Sequence, residues 1–332
     1  MKSVFINDYN KIFDIYSSDI LERLRQVTDI EPVIYTHNDV ISSPESFIDT
    51  EYIFSTWGMP VFTAEEIKER FPSLKCVFYA AGSVQDFARP FLECGVRVFS
   101  AWMANAVPVA EYTVAQIILA NKGFFQVSRL YNKGDYAKAR EFFAGYTGNY
   151  GAKVGIIGAG MIGSLVIHML KEYHLDVLVF DPFLPDSKAI EFGVEKVSLE
   201  RLFAECNVVS NHLANNKETV GMLNGKLFDK MLPYSTFLNT GRGAQVVEDE
   251  LANTLKKRTD ITAVLDVTFP EPIATDSELC RLENCILTPH IAGSAGNEVH
   301  RMAEFITDEF YRYINGEPCK YEVKIESLKI MA

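Results

Sequence analysis

The segment KVGIIGAGMIG, residues 153–163, constrains the fold more than any other part of this 332-residue chain. An apolar strand pattern is followed at once by three glycines at the spacing G-x-G-x-x-G, and then by a helical pattern. Gly158 permits a tight turn, Gly160 lets the backbone approach a pyrophosphate, and Gly163 allows the helix to pack closely on the strand. The pattern predicts a dinucleotide-binding strand-turn-helix unit.

The carboxylate after the next predicted strand indicates which dinucleotide binds. Asp181 ends the run VLVFD, eighteen residues after Gly163, and the next three residues include no arginine. At this place in such folds an acid accepts a hydrogen bond from the ribose 2'-hydroxyl, and it repels a 2'-phosphate. The first helical residues, Met161 and Ile162, would turn backbone N–H groups toward the phosphates. The sequence therefore predicts NAD as the cofactor.

Short β-rich runs alternate with helical patterns along the whole chain. The predicted strands are 3–6, 32–35, 52–55, 76–80 and 96–99, and then 154–158, 177–180, 208–211, 236–239, 263–267 and 285–288. Such alternation favours parallel sheets with helices on both faces. We predict an α/β protein with two doubly wound parallel sheets, the second of which belongs to a Rossmann NAD-binding domain.

Composition narrows the possible partners and the compartment. The formal charge is -12, from 32 basic and 44 acidic residues, so nucleic acid and anionic membranes are disfavoured. The most apolar stretch is interrupted by Glu111 and Gln116, and the N-terminal decapeptide is too polar for a signal peptide. The six cysteines form no Cys-x-x-Cys pair. We expect a cytoplasmic protein with no membrane or nucleic-acid partner.

A metal site is conceivable because Cys280, Cys285 and His290 follow one another at five-residue steps. It is disfavoured because Cys285 lies in a predicted apolar strand and no fourth ligand has a suitable spacing. We predict no bound metal.

Polar residues follow several predicted strands of the second series, where ligands bind in doubly wound sheets. Arg242 stands between two glycines after one strand, and Glu271 and His290 follow the next two. Taken singly, they could be a solvated loop arginine, a turn glutamate and a structural histidine. Together they suit hydride transfer with a 2-hydroxy acid, which needs a cation for the carboxylate and a base for the hydroxyl proton. Glu271 would orient the ring and favour its charged form.

The motifs GIIGAGMIG, VFDP, NTGRGAQVVEDEL, LDVTFPEP and TPHIAG, in this order, resemble those of the D-isomer-specific 2-hydroxyacid dehydrogenases. The resemblance implies that Arg242, Glu271 and His290 are catalytic. It also implies a cofactor groove that includes Thr219, Thr240, Gly241 and Asp266. His212, at another strand end, is a reserve candidate for proton transfer.

The same resemblance implies the domain organisation. Residues 1–103 and 297–332 would form a flavodoxin-like substrate domain, residues 104–296 the NAD-binding domain, and a cleft would close over the substrate. The aromatic segment 124–150 resembles the family's dimerisation arm. We therefore expect a homodimer.

The substrate side departs from the family pattern. By resemblance, backbone N–H groups of Ala81, Gly82 and Ser83 bind the substrate carboxylate. Trp57 stands where phosphoglycerate-oxidising relatives carry an arginine, which favours a non-phosphorylated substrate, and both Trp57 and Trp102 are candidates for the pocket wall. Further departures from the usual residues are Val84, Phe87, Ser100 and Ala214.

The predicted activity is the NAD-dependent interconversion of a small D-2-hydroxy acid and its 2-oxo acid. The alternative is an NAD(H)-sensing binding protein of the same fold, similar to the C-terminal-binding corepressors. Formate oxidation is disfavoured because those relatives carry a glutamine in place of Glu271.

Overall fold

The computed structural model describes residues 1–329 and divides the chain into two compact units. The first unit comprises Met1–Ala106 and Ser294–Ala332, and the second comprises Val107–Gly293. Both boundaries lie three residues from the expected ones at 103/104 and 296/297. Residues 330–332 of the expected substrate domain lie outside the described residues.

The strands alternate with helices through most of the chain. In chain order the strands are β1 Lys2–Ile6, β2 Asp29–Tyr35, β3 Thr50–Ser55, β4 Cys76–Tyr79, β5 Arg97–Ser100, β6 Lys153–Ile157, β7 Asp176–Phe180, β8 Glu195–Lys196, β9 Val208–Asn211, β10 Thr236–Asn239, β11 Thr262–Leu265, β12 Cys285–Leu287 and β13 Glu322–Val323. The α-helices are α1 Ile12–Ile15, α2 Ser18–Arg25, α3 His37–Ser42, α4 Ala64–Arg70, α5 Ala88–Glu93, α6 Trp102–Asn121, α7 Phe124–Asn132, α8 Tyr136–Ala144, α9 Met161–Leu170, α10 Asp186–Phe192, α11 Leu199–Glu205, α12 Gly225–Phe228, α13 Glu248–Lys257 and α14 Glu298–Ile314.

The first unit contains a sheet of order β13-β5-β4-β3-β1-β2, in which only β13 runs antiparallel to its neighbour. The parallel strands have the flavodoxin-like order 2-1-3-4-5, which confirms the predicted fold. Aromatic rings dominate its core. Phe78 stacks on Phe99 with ring centroids 4.9 Å apart, and Phe310 of α14 meets Phe54 edge-on at 5.1 Å. The helix α14 thus joins a core formed mainly by the N-terminal residues.

The second unit contains a sheet of order β12-β11-β10-β9-β6-β7-β8, and all its pairs are parallel. Counted within the unit, the order 3-2-1-4-5-6 is that of a Rossmann sheet, with β12 added at one edge. The six predicted strands are present, and β8 is an additional strand that was not predicted. Glu195 and Lys196 are both charged and exposed, so β8 has no apolar run to reveal it.

The helix α6 is long and apolar enough, by length and composition alone, to cross a membrane. Half of its apolar window is buried inside the protein. Ala110, Val114, Ile117 and Ala120 pack in one core cluster with strand residues such as Val154. The apolar composition is therefore explained by a core-facing helix, and the predicted lack of a membrane partner stays a prediction.

Candidate active site

The glycine loop joins β6 to α9 in the second unit, and its three glycines meet different steric demands. Gly158 has a φ of +86°, the left-handed region that glycine tolerates best. A Cβ added to Gly163 would lie only 2.0 Å from the carbonyl oxygen of Gly158. A Cβ on Gly160 would meet nothing within 4 Å, so the backbone there is open to a ligand. Gly160 precedes the first turn of α9, which contains Met161 and Ile162.

Asp181 follows β7 directly and lies beside the glycine loop. Its Oδ2 accepts a hydrogen bond from the backbone N–H of Ala159 at 2.8 Å, and its Oδ1 accepts one from Phe183 at 2.8 Å. A carboxylate has about four acceptor positions, so two remain for a ribose diol. The geometry suits the predicted contact with the cofactor.

Glu271 follows β11 and His290 follows β12. Their side chains are in contact although the two residues are 19 positions apart in sequence. His290 Nδ1 lies 2.7 Å from Glu271 Oε1, and each side chain is 45% exposed. A carboxylate at Nδ1 selects the tautomer that protonates this nitrogen and fixes the orientation of the ring. Within residues 1–329, His290 Nε2 has no hydrogen-bond partner, which leaves it available for proton exchange.

The backbone at His290 is strained. Its φ is +55°, which costs a non-glycine residue about 1 kcal/mol or more. Asp266 holds the segment around it, because Oδ1 accepts from the Thr288 hydroxyl at 2.6 Å and from the Ile291 N–H at 2.8 Å. Its Oδ2 accepts from the Ala292 N–H at 2.9 Å. Asp266 is buried and acts on the loop that carries His290, and its contact with the nicotinamide stays a prediction.

Arg242 follows β10 and is partly buried. Its Nη1 donates to the carbonyl oxygen of Gly241 at 2.8 Å. Burial lowers the pKa of the guanidinium, and the negative charge of Glu271 opposes that shift. An arginine side chain nevertheless stays protonated, because its ordinary pKa exceeds about 12. A fixed positive charge therefore lies near the His290–Glu271 pair.

Thr219 and Thr240 already use their hydroxyl groups within the protein. The Thr219 hydroxyl donates to the carbonyl oxygen of Ala214 at 2.7 Å and closes its own loop. Thr240 Oγ1 lies 3.2 Å from Thr113 Oγ1 and 3.4 Å from His212 Nδ1. Their place in a cofactor groove stays a prediction.

The reserve candidate, His212, has the wrong electrostatics for a proton donor. Its Nε2 lies 2.9 Å from the Ser210 hydroxyl, and burial lowers the pKa of the ring to about 3. The ring is therefore neutral near pH 7. To act as a proton donor it would have to carry a positive charge in a buried environment. This geometry favours a structural role for His212.

We expect replacement of His212 with asparagine to reduce the loss of stability on acidification. Below its ordinary pKa of 6.5 the unfolded chain binds a proton that the folded ring does not bind until about pH 3. The free energy of unfolding therefore falls as the pH drops through this window. Urea midpoints between pH 7.5 and 5 measure the slope, with the exposed His174→Asn as control. Parallel slopes for wild type and His212→Asn would contradict the burial argument.

Three residues of the second unit that lie close to Arg242 were not predicted from the sequence to be functional. Asn211 and Asn239 end β9 and β10, and Gln245 ends the short turn after Arg242. All three are buried, and Asn211 donates hydrogen bonds to both of the others. For Asn211 and Asn239, the available signal was an amide side chain at the last position of a predicted strand.

In the first unit, the predicted carboxylate-binding loop follows β4. Ala81 is buried, Gly82 partly buried and Ser83 exposed. The Ser100 hydroxyl lies 2.8 Å from the carbonyl oxygen of Ala81 and 2.6 Å from that of Gly82. Ser100, where the family usually has asparagine, therefore ties this loop to β5.

The two tryptophans have different environments. Trp57 is 37% exposed after β3, and its carbonyl oxygen accepts from the buried Asn7 amide at 2.7 Å. Trp102 packs edge-on against Tyr321 at 5.8 Å, which favours a packing role. Val84 and Phe87 are buried in the core of the unit. These two departures from the family pattern therefore pack in the core, and their effect on the substrate side stays a prediction.

The buried thiol of Cys285 stays protonated near neutral pH. Burial raises the pKa of Cys285 to about 12, and Cys280 is exposed on a separate short turn. Among residues 1–329, no three His, Cys, Asp or Glu side chains cluster so that they could hold a metal ion.

Comparison with known proteins places this geometry in a family. The sequence profile of the D-isomer specific 2-hydroxyacid dehydrogenase NAD binding domain matches residues 114–292. The glyoxylate reductase of Korarchaeum cryptofilum is 30% identical over 268 residues, which cover 80% of each chain. The chain belongs to the D-isomer specific 2-hydroxyacid dehydrogenases. As in that family's NAD binding domain, the cofactor is NAD, and the open backbone at Gly160 fits a pyrophosphate.

Other members of the family differ in length and substrate. The D-3-phosphoglycerate dehydrogenase of Archaeoglobus fulgidus is 29% identical over 235 residues, 71% of this chain but only 44% of that protein. The chain thus matches less than half of that relative's length. The apo D-mandelate dehydrogenase of Rhodotorula graminis has a similar fold, with a TM-score of 0.83 and 21% identity over 100% of this chain and 99% of the other.

Proposed function

We propose that the protein interconverts a non-phosphorylated D-2-hydroxy acid and its 2-oxo acid with NAD. The observation that carries the proposal is the 2.7 Å hydrogen bond between His290 and Glu271 at the carboxyl edge of the Rossmann sheet. A histidine with an oriented tautomer and a free Nε2 is suited to general acid-base catalysis near neutral pH. Arg242 supplies the positive charge that an α-carboxylate requires.

In the direction of reduction, NADH supplies the hydride when it is bound. Arg242 binds the carboxylate of the 2-oxo acid and polarises its carbonyl group. The His290 imidazolium donates its Nε2 proton to the carbonyl oxygen of the substrate, which leaves a neutral ring and, with the hydride that the cofactor would supply, a 2-hydroxy acid. Glu271 holds the ring in place through its hydrogen bond to Nδ1. Oxidation runs the same steps in reverse, with His290 as the base.

The first unit supports a substrate without a phosphate group. A phosphate carries nearly two negative charges and is usually bound by arginine or lysine. Neither residue occurs in the segments 56–63 and 80–87, which follow β3 and β4.

Two exposed aromatic side chains of the first unit follow strands: Trp57 follows β3, and the 70% exposed Tyr9 follows β1. A Cβ on Gly58 would lie 2.7 Å from the Tyr9 ring, so this glycine allows the ring to pack against the backbone next to Trp57 in sequence. We propose that these rings contact an apolar substrate side chain, and that the loop around Gly82 binds the carboxylate.

A substrate panel tests the proposed function. NADH and NADPH oxidation would be followed with glyoxylate, pyruvate, hydroxypyruvate, phenylpyruvate, 4-methyl-2-oxopentanoate and phosphohydroxypyruvate. We expect turnover with NADH and at least one unphosphorylated acid, and little with the phosphorylated one. Tight NADH binding without turnover of any acid would favour the corepressor-like sensor instead. Preference for phosphohydroxypyruvate would contradict the proposed role of Trp57.

We also propose a homodimer formed through the segment 124–150. In the second unit, α7, α8 and the end of α6 enclose a groove of about 360 Å³. Its apolar lining includes Leu119, Phe124, Val127, Tyr131, Tyr136 and Phe143. Several of these side chains are exposed, and such patches are typical of protein interfaces. The occupant that fits this proposal is the same segment of a second copy.

We also propose a cytoplasmic location, because the cysteines of the described residues are free thiols.

Replacing Tyr131 with glutamate is expected to dissociate this dimer. The ring is 60% exposed on the groove, and a buried charge at an apolar interface is costly. Sedimentation velocity measures the mass, and Tyr173→Glu is the control, since Tyr173 is an exposed tyrosine outside the groove. Unchanged mass of the Tyr131→Glu protein, or a monomeric wild type, would contradict this interface.

A further inference from the structure

Three buried side-chain amides lie between the carboxyl ends of β9 and β10. Asn211 Nδ2 donates to Asn239 Oδ1 at 2.9 Å and to Gln245 Oε1 at 2.6 Å. Asn211 and Asn239 are the last residues of their strands, and these strands pair directly. We call these three residues the amide triad.

The amide triad holds the backbone of Arg242 from both sides. The Arg242 N–H donates to Gln245 Oε1 at 3.2 Å, and Asn239 Nδ2 donates to the Arg242 carbonyl oxygen at 3.2 Å. The preceding Gly241 N–H donates to Asn239 Oδ1 at 3.1 Å. A Cβ on Gly241 would lie 2.9 Å from both Asn211 Nδ2 and Gln245 Oε1, so the triad also packs tightly under the loop.

The amide triad is saturated by its local partners. Gln245 Nε2 donates to the carbonyl oxygens of Leu213 at 2.8 Å and Ala214 at 3.0 Å, and Asn211 Oδ1 accepts from the Leu213 N–H at 3.3 Å. Every amide nitrogen and oxygen of the triad therefore has a partner. Burying amides is costly unless they are bonded, and a fully bonded network makes a rigid, specific arrangement.

We infer that the amide triad is a positioning device for Arg242, which fixes its guanidinium for the substrate carboxylate. The inference rests on the role given to Arg242 in the proposed function. Within residues 1–329, the hydrogen bond of the guanidinium is the one from Nη1 to the Gly241 carbonyl oxygen. The side chain is therefore oriented by the same loop whose backbone the triad holds, and the triad residues act through Arg242 rather than on substrate.

The test replaces Gln245 with methionine, which has a similar length but cannot form these hydrogen bonds. The matched control is Gln126→Met in the same unit, because buried Gln126 donates to the Ile261 carbonyl oxygen at 3.0 Å and to Thr262 Oγ1 at 2.8 Å. The Kd of oxamate, an unreactive 2-oxo acid analogue, would be measured on the NADH-bound protein, with the KM of the best 2-oxo acid, the Kd of NADH and the Tm. Misplaced catalytic groups commonly cost about tenfold to a hundredfold.

We expect Gln245→Met to raise the oxamate Kd and the substrate KM about tenfold or more, with the NADH Kd within about twofold. Gln126→Met is expected to lower the Tm without changing the oxamate Kd. Amide hydrogen exchange gives a readout that does not need turnover. Exchange at Arg242 N–H should accelerate in Gln245→Met, while the Gly158 N–H, bonded to Phe180, should be unchanged.

A second variant, Asn239→Asp, keeps the acceptor for Gly241 and loses the donor to the Arg242 carbonyl oxygen. If Gln245→Met does not fold, this variant is expected to show the same rise in the oxamate Kd. A wild type that turns over a 2-oxo acid, with wild-type oxamate affinity in the folded variants, would overturn the triad's role alone. A wild type that neither binds oxamate nor turns over any 2-oxo acid would overturn the proposed function, and the positioning role with it.

Discussion

His290→Ala is expected to lower the turnover of the best 2-oxo acid by about a hundredfold or more, and to leave the NADH Kd nearly unchanged. The loss follows from the geometry, because Nδ1 of the ring is hydrogen-bonded to Glu271 at 2.7 Å and Nε2 is left for the substrate. Without it, a proton must come from water during hydride transfer. Stopped-flow measurement of a single turnover and an NADH fluorescence titration separate the two quantities.

The control for this variant is His168→Ala, because His168 is an exposed residue of α9. Glu271→Gln should lose part of the same turnover, since an amide cannot stabilise the imidazolium as a carboxylate does. If His290→Ala retains near-normal turnover, the proton passes by another route and the assignment of the acid is wrong.

Arg242→Lys is expected to lower kcat/KM by about a hundredfold or more, mainly through the KM of the 2-oxo acid. A lysine keeps the charge but loses the planar pair of donors that matches a carboxylate. It also cannot reproduce the bond from Nη1 to the Gly241 carbonyl oxygen in the same geometry. Steady-state kinetics at saturating NADH measure the effect.

Arg258→Lys is the matched control, because Arg258 is a partly buried arginine of the same unit that pairs with Asp260 at 2.7 Å. Its kinetic constants should equal those of wild type. An Arg242→Lys enzyme with an unchanged KM would mean that the substrate carboxylate is bound elsewhere, and the loop around Gly82 would then be the next place to test.

Much of the fold was predictable because its signals are local. Apolar runs of four or five residues identified most strands, and the glycine spacing identified the turn into α9. The two strands that were missed, β8 and β13, have two residues each. Each is defined by hydrogen bonds to the backbone of a longer neighbouring strand and not by an apolar run of its own. β13, near residue 322, pairs with β5, near residue 99.

The roles of individual core residues were less predictable. Val84 and Phe87 depart from the family pattern near a predicted binding loop, yet both are buried. A side chain's direction depends on how its segment packs, and no local pattern reports that. The low pKa of His212, about 3, likewise arises from burial in the folded protein.

The sequence by itself determined the Rossmann unit, the NAD preference and the identity of Arg242, Glu271 and His290 as candidates. These depend on residue type and spacing, which the chain carries locally. Only the tertiary structure decided that Glu271 reaches His290, that Asp266 holds the His290 segment, and that the distant Asn211 joins Asn239 and Gln245 beside Arg242. Parallel pairing of β9, β10, β11 and β12 brings their carboxyl ends to one edge, so residues as far apart in sequence as Asn211 and His290 follow or end strands at that edge.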